Sequence, residues 1–334
     1  VLLGYYAVVW RWVGKDPASR VVRLLEPPAG LSPAQARYLR QMKYDTTTNT
    51  VIILSLVQKG SMQVITEGSR TFVLVQKEAP AQVHLPPEEQ EFMAALFAKE
   101  QRVTLYRSNR VAFLSAQKAA QKALARWENG RYFARHLWAN LPTLAFAVFL
   151  LWKYVKTGQG IMLPVQVWFC ILFVFAWLYP TVKSFSEKKS SDATFYFSLL
   201  FALFLYALLG GVRGAVLAFV LLLPGGIFFK LVRAYTVAGR KQMDEIEGFL
   251  QYLQTAEKYR VFASDPTNAS RIYCNHLPYA VALNVQNKWQ QAFQQELGEK
   301  VLKQTEESAG MAFSHDAVAF TGLWAAASAR PERS

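Results

Sequence analysis

Apolar residues in this chain are gathered into long blocks rather than spread evenly. Ile161 to Tyr179, "IMLPVQVWFCILFVFAWLY", carries no charge, and neither does Ala193 to Val212, "ATFYFSLLFALFLYALLGGV". Two shorter blocks accompany them, "LWANLPTLAFAVFLLW" from Leu137 and "GAVLAFVLLLPGGIFF" from Gly214, the second bounded by Arg213 and Lys230, which can snorkel. About twenty apolar residues cross a bilayer core. The pattern therefore predicts four transmembrane helices in two hairpins, 137–152, 161–179, 193–212 and 214–232. Trp138, Trp152, Trp177 and Tyr179 fall near their ends, where interfacial aromatics belong. The opening run "VLLGYYAVV" lacks a small-residue cleavage site and is followed by positive charge, so residues 1–13 read as the end of a fifth membrane helix.

Between and after these blocks the periodicity is that of packed modules. Over 14–136, Ser32 is a natural N-cap with Pro33 at the first helical position. Asp45 or a nearby Thr starts a second helix, "TNTVIILSLVQKG", ended by Gly60. "SMQVITE" and "RTFVLVQ" flank a turn and read as a hairpin, and "LPPEEQEFMAALFA" reads as a third helix with acids in its first turn. A strand near "RVTLYR" and a helix from about Val111 to Glu128 follow. Helix, helix, hairpin, helix is a winged-helix-like outline. The second helix is apolar nearly all round, however, and such a helix is buried rather than offered to base edges.

In the C-terminal part, Ile246, Phe249, Leu250, Leu253 and Ala256 form one helical stripe. Beyond a break at Asp265-Pro266 comes "LPYAVALNVQNKWQQAF" (277–293). Its reading is two short helices, the first starting at Pro278 and turned at Asn284, a residue that tolerates the left-handed conformation. Leu277, Pro278, Tyr279, Asn284, Trp289 and Phe293 form this structural motif, with Tyr279, Leu283, Trp289 and Phe293 supplied to a core. The expected divisions are a helical domain over 233–307 and an Ala/Ser-rich mobile tail over 308–334.

Charge adds sidedness. The chain carries +14 overall, with 52% hydrophobic residues. Residues 14–136 hold eighteen Lys or Arg against ten Asp or Glu, 181–192 holds three Lys, and Arg233, Arg240 and Lys241 follow the last apolar block. The positive-inside rule places these parts in the cytoplasm. The same excess suits anionic headgroups and weakens the case for nucleic acid, because topology already explains it.

Chemistry is sparse. The two cysteines, Cys170 and Cys274, do not make a disulfide framework. The four histidines form no HExxH, and CxxC, GxGxxG and GxSxG motifs are absent. Cys274 and His276 lie two apart, a spacing that does not put them face to face on a helix. Asp244, Glu245 and Glu247 read as solvated acids beside Arg240 and Lys241. No catalytic, cofactor-binding or metal-ligating residue is assigned. Within the predicted spans, Pro224, Gly225 and Gly226 mark a break of the kind that can line a cavity in transporters, although the only charge in the four spans is Lys230, near the end of the last.

"PPAGLSPAQARYL" (27–39), "EGFLQYLQTAEKYR" (247–260) and "LPYAVALNVQNKWQQAF" resemble the YciQ-like membrane proteins, a bacterial family of unknown function. The resemblance implies an inner-membrane protein with an exported β-rich domain preceding residue 1, a cytoplasmic module, paired membrane helices and a cytoplasmic C-terminal domain. Asn284 stands where that family more often has Gly, and the tail lacks its Gly/Ser-rich run. The expected fold class is thus a mainly α polytopic membrane protein with a winged-helix-like α+β module and a small all-α C-terminal domain. The expected role is non-enzymatic interaction or scaffolding, without cofactor. Its partners would be membrane lipids, a protein or a second copy, and the exported domain of the same chain. A transporter or channel component, and a membrane-anchored nucleic-acid binder, are the alternatives.

Overall fold

Local capping chemistry sets the first elements. The computed structural model describes residues 8–9, 11, 18–67, 71–78, 84–135, 233–255 and 266–329. Helix α1 (Pro33–Gln41) opens with a reciprocal cap. The Gln35 N–H donates to the Ser32 hydroxyl at 3.1 Å, and the Ser32 N–H donates to Gln35 Oε1 at 3.1 Å. Helix α2 (Thr46–Gln58) is capped by Asp45, whose Oδ1 accepts from the Thr48 N–H at 3.1 Å. Gly60 follows it at φ 72°, and the Ser61 N–H reaches back to the Leu56 carbonyl at 3.0 Å.

Strands β1 (Met62–Glu67) and β2 (Thr71–Gln76) pair antiparallel with Met62 opposite Gln76. After α3 (Pro87–Leu96), β3 (Arg102–Thr104) joins β2 with Val103 opposite Leu74, giving the order β1-β2-β3. A 3-10 turn (Arg107–Asn109) leads into α4 (Arg110–Glu128). Short strands β4 (Phe133–Arg135) and β5 (Arg233–Tyr235) pair antiparallel. Then come α5 (Val237–Gln254), α6 (Pro266–Ala282), α7 (Gln286–Leu297), α8 (Glu299–Ser308), a 3-10 segment (Ala312–Asp316) and α9 (Ala317–Ser328).

Two compact units result. One comprises 1–17 and 133–236, and its paired elements are β4 and β5; the other, the body, comprises 18–132 with 237–334. In the body, α2 is buried along every residue from Thr48 to Val57 because α1, α6 and α9 pack around it. Trp324 of α9 is fully buried against Phe92 of α3 and Phe113 of α4, with ring centroids 5.7 and 4.8 Å away. Phe320 meets Phe72 of β2 edge-on at 5.3 Å. A second cluster joins Trp289 and Phe293 of α7 to Tyr273 of α6 and Tyr252 of α5. Burying each such ring contributes about 1.5–3 kcal/mol.

Two glycines of α5 let backbones touch. A Cβ on Gly239 would stand 1.7 Å from the Tyr132 carbonyl oxygen, and one on Gly248 would stand 1.9 Å from that of Val22. Chain segments distant in sequence therefore meet at backbone distance within the body.

Several expectations are corrected. Among the described residues no helix is long and apolar enough to cross a membrane, and the elements present are nine helices with a three-stranded sheet and one short strand pair. The polytopic four-span fold is therefore not what the structure presents. The predicted spans 137–152, 161–179, 193–212 and 214–232, including Pro224, Gly225 and Gly226, lie outside the described residues, as does nearly all of 1–13. The winged-helix outline also fails. Its would-be recognition helix, α2, is buried over 48–57 because α1, α6 and α9 pack around it, while the strand expected near "RVTLYR" forms as β3. Residues 14–136 and 233–307 do not stand as separate modules, since one body draws on both. Where a mobile tail is expected over 308–334, α9 forms and seals the core with Trp324. Pro278 lies inside α6 rather than at a helix start, so the carbonyl of Cys274 lacks its ordinary partner four residues on.

Candidate functional site

The most concentrated polar chemistry in the body surrounds Arg37. This side chain is 4% exposed. Its Nε and Nη2 hold Asp45 as a fork, at 2.8 and 2.5 Å. Its Nη1 donates to the Ala282 carbonyl at 2.8 Å and to Asn284 Oδ1 at 3.0 Å. Arg40, one turn on, donates to the Leu283 carbonyl. The last carbonyls of a helix lack internal partners and carry partial negative charge; here two arginines of α1 supply both. Asp45 simultaneously caps α2. Burial opposes its charge, but Arg37 and Thr48 outweigh that and hold the carboxyl below its usual range.

Asn284 makes this reach possible. It adopts φ 58°, turning the chain between α6 and α7, and the Val285 N–H closes the turn on the Ala280 carbonyl at 2.9 Å. Tyr279 extends the contact, its hydroxyl donating to the Leu31 carbonyl at 2.5 Å. Leu277, Trp289 and Phe293 are buried, and the Trp289 indole N–H donates to the Tyr273 carbonyl at 3.4 Å. The motif thus supplies both a hydrophobic cluster and the acceptors for Arg37.

Two carboxylates, Glu88 and Glu89, are fully buried in the first turn of α3. Glu88 accepts from the Ser32 hydroxyl at 2.5 Å and from Gln35 Nε2 at 3.1 Å. Glu89 accepts from the Ser55 hydroxyl at 2.7 Å and from Lys59 Nζ at 2.6 Å. Burial raises the Glu89 pKa, and Lys59 only partly opposes it. Each carboxylate is saturated by the helices it ties together.

The other sequence candidates are similarly engaged. Burial pushes the Cys274 thiol up to about 11 and the His276 imidazole down to about 4. The thiol therefore stays protonated and the ring neutral near pH 7, the reverse of an activated pair. His276 instead packs edge-on to Phe249 and Tyr252, and its Nδ1 has no hydrogen-bond partner. Asp244 accepts from the Arg20 N–H at 2.8 Å, the Ser19 hydroxyl at 2.9 Å and Arg240 at 2.6 Å; burial opposes its charge, yet these contacts depress its pKa. Glu247 shares Arg240 at 2.9 Å, and Glu245 is half-buried. No cluster of metal-ligating side chains occurs among the described residues.

The sequence reading does not single out Arg37. Its signal was present: in "PAQARYL" it stands three residues after Ala34, on the face that α1 buries. This same stretch and the 277–293 motif lie within a match to the family model "Predicted membrane protein (DUF2207) C-terminal domain", over residues 21–293. The chain belongs to the DUF2207 family. No curated protein and no solved structure matches it. The match covers α1 through most of α7, so every element around Arg37 belongs to the DUF2207 domain, whereas α8 and α9 lie beyond it. The description supports membrane association, and the YciQ-like resemblance is compatible with it.

Proposed function

We propose that this DUF2207 protein is a non-enzymatic component of a bacterial inner membrane whose body serves interaction or scaffolding. One observation carries the reading: the buried ionisable groups of the body are spent on holding helices together. Arg37 joins α1, the cap of α2 and the end of α6, and Glu88 and Glu89 join α3 to α1 and α2. A catalytic group must face substrate with a pKa matched to its task, whereas these face helix ends, and Cys274 and His276 are shifted away from reactivity. The excess of Lys and Arg over 14–136 supports a cytoplasmic position for the body. The partner is a protein or a second copy, acting together with an exported domain of the same chain. Isolation of the tagged full chain from mildly solubilised membranes tests this. A stoichiometric companion or a defined self-oligomer is expected, and repeated recovery of the chain alone as a monomer would overturn the reading.

A further inference from the structure

Helix α9 presents an outward face of small apolar residues. Ala317, Phe320, Trp324 and Ala327 are buried, yet Val318, Ala319, Gly322, Ala325 and Ala326 are exposed, and the helix contains no charged residue. Val318 is 82% exposed. A helix that is apolar all round is ordinarily covered on every side. Helix α4 runs antiparallel beside it, since Arg110 Nε donates to the Ser328 carbonyl at 3.1 Å and Phe113 meets Trp324. Both helices bury their inner sides on one core, so their outer sides adjoin. On α4 that outer side carries Val111, Lys118 and Lys122, spaced seven and four residues apart and all exposed. Tyr106 and Arg107, just before α4, are exposed as well.

We infer that the α4–α9 face docks onto an anionic lipid surface, with Val318, Gly322 and Ala326 entering the apolar margin and Arg107, Lys118 and Lys122 meeting headgroup phosphates. An apolar stripe, an interfacial tyrosine and a basic flank on one face form the combination that lies in a membrane interface. The charge on the flank selects anionic over neutral lipid. The family's membrane character supplies the lipid, and the inference does not depend on the scaffolding role.

The test uses the full chain with Cys170→Ser and Cys274→Ser, carrying an environment-sensitive dye at Val318→Cys or at Gln251→Cys, an exposed site on α5. Each is reconstituted with brominated phosphatidylcholine, with or without phosphatidylglycerol. The dye at 318 is expected to be quenched by bromine when phosphatidylglycerol is present, while the dye at 251 is not. Lys118→Glu with Lys122→Glu, both on the surface, should leave the melting temperature unchanged and lower the docking equilibrium about fivefold or more per charge. Absence of quenching at 318, or equal quenching without phosphatidylglycerol, overturns the inference. Bromine-independent self-quenching that grows with protein density also overturns it and assigns the stripe to a second copy.

Discussion

Arg37 and Asn284, 247 positions apart in sequence, share a hydrogen bond of 3.0 Å inside the body. The guanidinium that makes it also forks Asp45, so one side chain of α1 fixes two helix ends, the start of α2 and the close of α6. Arg37→Leu takes the fork from the partly buried Asp45 carboxylate and leaves the Ala282 carbonyl without this donor, a loss of about 1–3 kcal/mol. Arg37→Lys keeps the charge but loses the planar fork and should recover only part of the loss. Denaturant titration of the purified full chain and both variants checks the order.

Trp289 is fully enclosed by Tyr252, His276 and Phe293. Trp289→Ala is expected to destabilise the body by about 3–5 kcal/mol. Near-ultraviolet circular dichroism should show lost tertiary packing. A variant that melts like the parent would contradict the placement.

His276 predicts a pH dependence. Its folded pKa, about 4, lies below its ordinary 6.5, so the unfolded state binds the proton more readily. Its contribution is fully present above about pH 6.5 and is lost as pH falls toward 4. Asp45, whose pKa is lowered, adds a loss at still lower pH, as its carboxyl protonates. His276→Phe should flatten the fall in melting temperature between pH 7 and 5 relative to the parent, while leaving the steeper acid limb.

Cys274 should alkylate slowly. With its thiol raised to about 11 by burial, little thiolate exists near neutrality. Peptide mapping after iodoacetamide at pH 7.4 should find this site largely unmodified in the folded chain and modified once denaturant is added.

Gly248→Ala places a methyl group against the Val22 carbonyl. Forcing α5 off the 18–25 segment should cost about 1–3 kcal/mol. Limited proteolysis should then cut near Val22 and Leu25, which are already exposed, faster than in the parent.

What the sequence made legible was local. Ser32, Asp45, Gly60 and Asn284 announce their turns because capping depends on one residue and its near neighbours. The partners of those turns were not legible. Nothing within "PAQARYL" says that Arg37 faces a helix end from the far part of the chain. The burial of α2 was readable from its uniform apolarity, but what buries it was not. Helix α9 was missed because alanines blur its face, although Ala317, Phe320, Trp324 and Ala327 recur at three and four residues.

The covering of α2 by α6 and α9 also imposes an order in time. During synthesis α1, α2 and the sheet emerge long before residues 266–328 exist, and domains generally form as their residues become available. Until residues 266–284 are made, α2 has neither of its later neighbours and Arg37 has no helix end to bind; α9 follows later still. Emergence of α9, rather than of the sheet and the first helices, is the event that closes the core.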